Sequence, residues 1–101
     1  MRVLVTGAAG SIGTVVCSGL VDLGHEVAGL DLGAEPEGFR GAWFTADCAD
    51  ADAVDSVFDV LAQAGPLDGV VHLASIPDEA PLPTILQSHV VTTGALLDAM
   101  V

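Results

Sequence analysis

Two periods of apolar residues alternate along the chain. Residues 2 to 6 (Arg-Val-Leu-Val-Thr) form a short, β-branched run that leads directly into a glycine-rich stretch, Gly7 to Gly13, a pattern that predicts a strand entering a turn. From Ile12 the apolar positions Ile12, Val15, Val16, Leu20 and Leu23 recur at helical spacing, and Gly24 is placed to end that helix. A second strand follows His25 over Glu26 to Asp31. Residues 32 to 41 hold three glycines, one proline and two glutamates without any apolar period, and are expected to form an exposed loop. Trp43, Phe44 and Thr45 make a short third strand. Asp50 is placed as the N-cap of a second helix whose stripe is Val54, Val57, Phe58 and Leu61, and Gly65-Pro66 stops it. Gly69 to Leu73 is a fourth strand. Three prolines between Ser75 and Pro83 mark a loop, and from Thr84 a last helix presents Leu86, Val90, Leu97 and Met100.

This alternation is that of an α/β protein. Continuous apolar strands joined by amphipathic helices require a parallel sheet covered on both faces. The right-handed crossover rule and the common order of such sheets give a Rossmann-type arrangement of four strands, 3-2-1-4, with flanking helices. The 101 residues suit one domain, residues 1–101, with no internal repeat or linker.

Composition narrows the partners. Half of the residues are apolar (51%) and 16% are charged, which supports a folded core. Fourteen acidic residues against two basic ones give a net charge of −12, and such a surface repels phosphate backbones and anionic lipids. Nucleic acid and membrane partners are therefore not expected. No apolar run approaches the roughly 20 residues that span a bilayer, and no charged leader precedes an apolar segment, so a soluble, cytoplasmic protein is expected. Cys17 and Cys48 are too far apart for a C-x-x-C pair or a zinc site, and both are expected to be reduced. Asp47, Asp50, Asp52, Asp55 and Asp59 lack the glycine and closing glutamate of a calcium loop, so no metal is expected. The chain contains no Tyr and no Lys.

The candidate chemistry lies in Gly7, Gly10 and Gly13, spaced as Thr-Gly-x-x-Gly-x-x-Gly between the first strand and the first helix. In a dinucleotide site the first glycine makes the tight turn, the second lets the backbone approach a pyrophosphate, and the third lets the helix pack against the sheet. Free N–H groups at the helix start then meet the anion. Three glycines at a fixed spacing are a weak sign alone, but their position at a strand-to-helix junction strengthens them. Asp31 ends the next strand 18 residues after Gly13, where an acid can accept the hydroxyls of an adenosine ribose.

With these residues the sequence resembles the extended short-chain dehydrogenase/reductase family, the NAD-dependent epimerases and dehydratases, over that family's N-terminal portion only. Thr6-Gly7-Ala8-Ala9-Gly10-Ser11-Ile12-Gly13 is similar to the family's pyrophosphate turn, and Asp31, with Leu32 beside it, to its adenosine-ribose acid. The resemblance also implies an adenine-contacting pair in Asp47-Cys48 and a loop along the cofactor in Leu73, Ala74 and Ser75. The segment Ile85 to Ala99 looks most like the uronate dehydrogenase branch, with His89 where the family usually has Asn and Thr92-Thr93 where it usually has Gly-Thr. On the resemblance the cofactor is NAD and His89 is a cofactor-proximal candidate. The family's catalytic Ser, its Tyr-x-x-x-Lys and its substrate-binding part are not in this sequence, so no catalytic residue is assigned and the fold is expected to stop before its second half.

Several readings stay open at the level of sequence. Arg40, nine residues past Asp31, could hold the 2′-phosphate of NADP. His25 and His72 read as hydrogen-bonded structural residues, and Cys48 as a small apolar contact. The complete enzyme would act on a sugar, sugar acid or nucleotide-sugar by hydride transfer; the alternative is a non-catalytic nucleotide-binding or interaction module. The last helix or an open sheet edge could support a homo-oligomer.

Overall fold

The computed structural model describes residues 1–74. Six elements follow one another: β1 (Arg2–Thr6), α1 (Ser11–Asp22), β2 (Glu26–Asp31), β3 (Ala42–Thr45), α2 (Ala51–Gln63) and β4 (Gly69–His72). The strands form one sheet in the order β3-β2-β1-β4, with every pair parallel. This is the expected Rossmann-type arrangement. Ser75, His89 and the last helix lie outside the described residues.

The register explains how one sheet serves two layers. Val3 and Val5 pair with Val27 and Gly29, and these alternate with Leu4 and Thr6, which pair with Ala28 and Leu30. Leu4, Ala28 and Leu30 face α2, where Val57 and Leu61 pack on them. Val3, Val5 and Val27 face α1 and meet Cys17. Burying each such aliphatic side chain stabilises the fold by roughly 1.5–3 kcal/mol before conformational entropy is counted.

The α2 stripe matches its sequence pattern: Val54, Val57 and Leu61 are buried, and Asp50 caps the helix by accepting from the Asp52 and Ala53 N–H groups at 3.1 and 3.2 Å. Such a cap contributes about 1 kcal/mol. The α1 stripe requires a correction. Ile12, Val15 and Leu23 are 67, 71 and 77% exposed, whereas Gly13 and Cys17 are buried, with Val16, Leu20 and Val21 packed beside them. Small side chains decide the orientation. A Cβ on Gly13 would overlap the Gly7 carbonyl oxygen, so the helix approaches the sheet along its Gly13–Cys17 line.

The loop over residues 32–41 is also less open than its composition suggests. Phe39 packs edge-on against Trp43, with ring centroids 4.9 Å apart and planes at 76°. Both rings lie over Gly29, where a Cβ would stand 2.7 Å from the indole and 2.9 Å from the phenyl ring. A glycine inside a strand is costly unless something must approach it closely, and here two aromatic rings do. The strand boundaries shift by one residue from the sequence pattern: Ala42 joins β3, and Leu73 leaves β4.

Candidate functional site

The carboxyl ends of β1, β2 and β4 converge on the glycine-rich turn, the place where open parallel sheets bind ligands. Gly7 has φ +68°, and a Cβ on it would lie 2.8 Å from the Ala74 nitrogen and the Leu73 carbonyl carbon. Glycine is thus required twice, by conformation and by the backbone crossing it. The Gly10 N–H donates to the Gly7 carbonyl at 3.1 Å, closing the turn, and Gly10 then serves as the N-cap of α1.

That cap has no side chain to offer. The first N–H groups of α1, on Ser11, Ile12 and Gly13, precede the first intrahelical bond, from Thr14 to the Gly10 carbonyl at 2.9 Å, and no side chain caps them. The first turn of α1 also carries no acid, whereas α2 carries Asp50 and Asp52 at the same place. The chain is strongly acidic, yet no acidic side chain of α1's own first turn compensates the positive end of this dipole.

Asp31 stands beside the turn. Its Oδ2 accepts from the Ala9 N–H at 3.0 Å and its Oδ1 from the Gly33 N–H at 2.8 Å. An ionised carboxylate has about four lone-pair positions, so each oxygen keeps capacity for a ligand hydroxyl. Leu32, next along the chain, is 70% exposed, as is Ile12 to a similar degree, and the two apolar side chains are presented near the start of α1 and the end of β2.

The third segment supplies less than its two side chains suggest. Asp47 Oδ1 accepts from the Ala49 N–H at 2.8 Å, which shapes the turn into α2. Cys48 is 5% exposed and packs in the α2-side core. Burial pushes its thiol up to about 11, and the negative charges of Asp47 and Asp31 push in the same direction. Such a thiol is an inert packing group at neutral pH.

Sequence reasoning did not single out the Thr6 side chain. Thr6 is fully buried, and its hydroxyl oxygen accepts from the Leu73 and Ala74 N–H groups at 3.0 and 3.2 Å. Those two bonds occupy its lone pairs, so its O–H donates to His72 Nδ1, 2.6 Å away. His72 is therefore a hydrogen-bonded histidine, as its strand position implied. A polar residue closing an apolar strand just before the glycine turn was the available signal.

Arg40 points elsewhere. Its Nη2 lies 2.9 Å from Asp22 Oδ1 and 3.5 Å from the Ser18 carbonyl and hydroxyl. Asp22 is the last residue of α1, about 16 Å along the axis from the anion-facing end at the helical rise of 1.5 Å per residue. His25 Nδ1 is 2.9 Å from the Met1 amine. Among the described residues no group of three His, Cys, Asp or Glu side chains could hold a metal, and no helix is long and apolar enough to cross a membrane.

Comparison with known proteins agrees with this geometry. Residues 3–101 match the profile described as the NAD dependent epimerase/dehydratase family. A UDP-glucose 4-epimerase of Corynebacterium glutamicum is 37% identical over 106 residues, which take in 99% of this chain and 31% of that protein. Among solved structures, the uronate dehydrogenase of Agrobacterium tumefaciens is 34% identical with a TM-score of 0.75, over 97% of this chain and 35% of the other; a point variant of it was solved with NAD. The UDP-glucose 4-epimerase of Thermus thermophilus, in complex with NAD, is 31% identical with a TM-score of 0.79, over 98% of this chain and 33% of the other. The chain thus spans about a third of the length of these relatives.

Proposed function

Because the chain belongs to the NAD-dependent epimerase/dehydratase family, we propose that residues 1–101 are the cofactor-binding half-domain of an enzyme that oxidises or epimerises a sugar, sugar acid or nucleotide-sugar. The observation that carries this reading is the Asp31–Ala9 hydrogen bond at 3.0 Å, which brings the ribose-type acid and the glycine turn to one place. NAD, when bound, supplies a hydride acceptor at its nicotinamide ring.

The residues present fit such a group. The N–H groups of Ser11, Ile12 and Gly13 hold the pyrophosphate against the positive end of α1. Gly7 and Gly10 keep side chains out of its path, and Asp31 accepts the adenosine ribose hydroxyls. Leu32 and Ile12 offer apolar surface to the adenosine end, with the Asp47-Cys48 backbone at the adenine edge. Leu73 and Ala74, just past the end of β4, run along the cofactor, and the resemblance adds Ser75 and the cofactor-proximal candidate His89, which lie outside the described residues.

NAD is preferred to NADP. The Arg40 guanidinium, the one candidate for a 2′-phosphate, is bound to Asp22 at the opposite end of α1. The sugar-class substrate is supported by the uronate dehydrogenase and the UDP-glucose 4-epimerases that the chain resembles. With neither Tyr nor Lys, this chain alone binds the cofactor without turning it over.

Nuclear magnetic resonance of the labelled chain during addition of NAD tests the site. The Ser11, Ile12 and Gly13 amides are expected to shift most, together with Gly33. Shifts confined to other surfaces contradict the proposal.

A further inference from the structure

We infer that Asp31 is also the positioning residue of the glycine turn, so that recognition of the ribose and organisation of the pyrophosphate cradle depend on one side chain; this rests on the nucleotide site proposed above. Three segments meet at this carboxylate. From the turn, successive N–H groups reach the end of β2: Ala8 to the Leu30 carbonyl at 3.3 Å, and Ala9 to Asp31 Oδ2 at 3.0 Å. The loop that leaves β2 returns its Gly33 N–H to Asp31 Oδ1 at 2.8 Å. A Cβ on Gly33 would lie 3.4 Å from that oxygen and 3.7 Å from the Ala9 Cβ, so turn and loop are close-packed around the acid.

The Ala8 bond is long for an N–H to carbonyl bond, and the Ala9 bond goes to a charged acceptor, which makes it the stronger of the two. Ala9 immediately precedes Gly10, the N-cap of α1. Fixing the Ala9 amide therefore fixes the direction in which the chain enters the helix, and with it the direction of the first N–H groups of α1. A carboxylate serves both tasks because two oxygens can hold two N–H groups and still accept from ribose hydroxyls.

The two roles separate with a ligand that has no ribose hydroxyls. The probe is 2′,3′-dideoxyadenosine 5′-diphosphate, titrated by calorimetry into the 101-residue chain and its Asp31→Ala and Asp31→Asn variants. Removing a negative charge beside a diphosphate would by itself tighten binding. The inference requires the opposite for Asp31→Ala, a loss of about fivefold or more, the equivalent of one hydrogen bond. Amide hydrogen exchange is followed in parallel. In Asp31→Ala both Ala9 and Gly33 exchange faster while the core Val5 amide does not, and in Asp31→Asn, whose single oxygen can hold one partner, one of the two stays protected. Dideoxy-ADP binding that is unchanged or tighter in Asp31→Ala, or an Ala9 amide that exchanges as in the unmodified chain, overturns the inference. If the unmodified chain binds neither NAD nor the probe, the nucleotide reading fails, and exchange at Ala9 still decides whether Asp31 positions the turn.

Discussion

The Thr6 hydroxyl and the His72 imidazole lie 2.6 Å apart across the β1–β4 pair, on residues that are register partners in the sheet. The same hydroxyl accepts from the Leu73 and Ala74 N–H groups, so one buried side chain fixes where β4 ends and how the following backbone passes over Gly7. Replacing it by an isosteric apolar group keeps the volume and removes the acceptor. Leu73 retains a second partner in the Thr6 carbonyl at 3.2 Å, and Ala74 is left with the larger loss.

Thr6→Val is therefore expected to destabilise the fold by about 1–3 kcal/mol, the usual cost of leaving a buried polar group without its partner. Thr6→Ser, which keeps the hydroxyl, should cost less. Urea unfolding of the three proteins measures this, and a Thr6→Val midpoint equal to that of the unmodified chain contradicts the hydrogen-bond assignment.

The glycines divide into two kinds. A methyl on Gly13 collides with the Gly7 carbonyl oxygen, and one on Gly7 meets the backbone of Leu73 and Ala74, so Gly13→Ala and Gly7→Ala should each lower stability and nucleotide affinity. Gly19, inside α1, has nothing within 4 Å of its Cβ position. Gly19→Ala should raise stability by about 0.5–1 kcal/mol through helix propensity. Thermal melts of the three variants rank them, and a stabilising Gly13→Ala would show that the helix does not sit against the turn as described.

Cys48 gives a pH dependence of definite sign. Its folded thiol is pushed up to about 11 from an ordinary value near 9, by burial first and then by Asp47 and Asp31. The folded state thus holds the proton more tightly than the unfolded one. Its contribution to stability is complete below pH 9 and is lost as the pH rises towards 11. Urea midpoints should fall over that interval and fall less in Cys48→Ala, with iodoacetamide at pH 8 labelling Cys48 slowly in the folded chain. Rapid labelling under folding conditions would contradict the burial.

How far the sequence was legible depends on what each residue reports. The strands, the capped α2 helix and the glycine turn are local patterns, and hydrophobic period and turn chemistry sufficed for them. The buried face of α1 was not legible, because periodicity weighs Ile12, Val15 and Leu23 by their hydrophobicity. The structure instead selects Gly13 and Cys17 for their small size, a demand set by Gly7, which belongs to another segment. Phe39 and Trp43 over Gly29 escaped for the same reason, since the vacancy above a strand glycine is filled from outside the strand. In the site, Gly7 and Asp31 were legible from spacing. Thr6 was not, because its partners lie 66 to 68 residues away.

A negative result is expected in assays for activity. On the proposed reading, in which turnover needs a Tyr and a Lys that this sequence does not contain, NADH formation with uronates or UDP-sugars should stay at background. Turnover that scales with protein concentration would contradict that reading.

The central claim is that this turn and Asp31 bind NAD. At 4 Å and an effective dielectric of 20, a 2′-phosphate charge beside the carboxylate is repelled by about 4 kcal/mol before screening, and even a fraction of that leaves roughly 100-fold discrimination. The most direct measurement is calorimetric titration of the unmodified chain with NAD and with NADP at equal ionic strength, repeated on Asp31→Ala. Saturable NAD binding about 100-fold tighter than NADP binding, with the gap narrowed in the variant, is the predicted result. NADP binding equal to or tighter than NAD binding in the unmodified chain would contradict it.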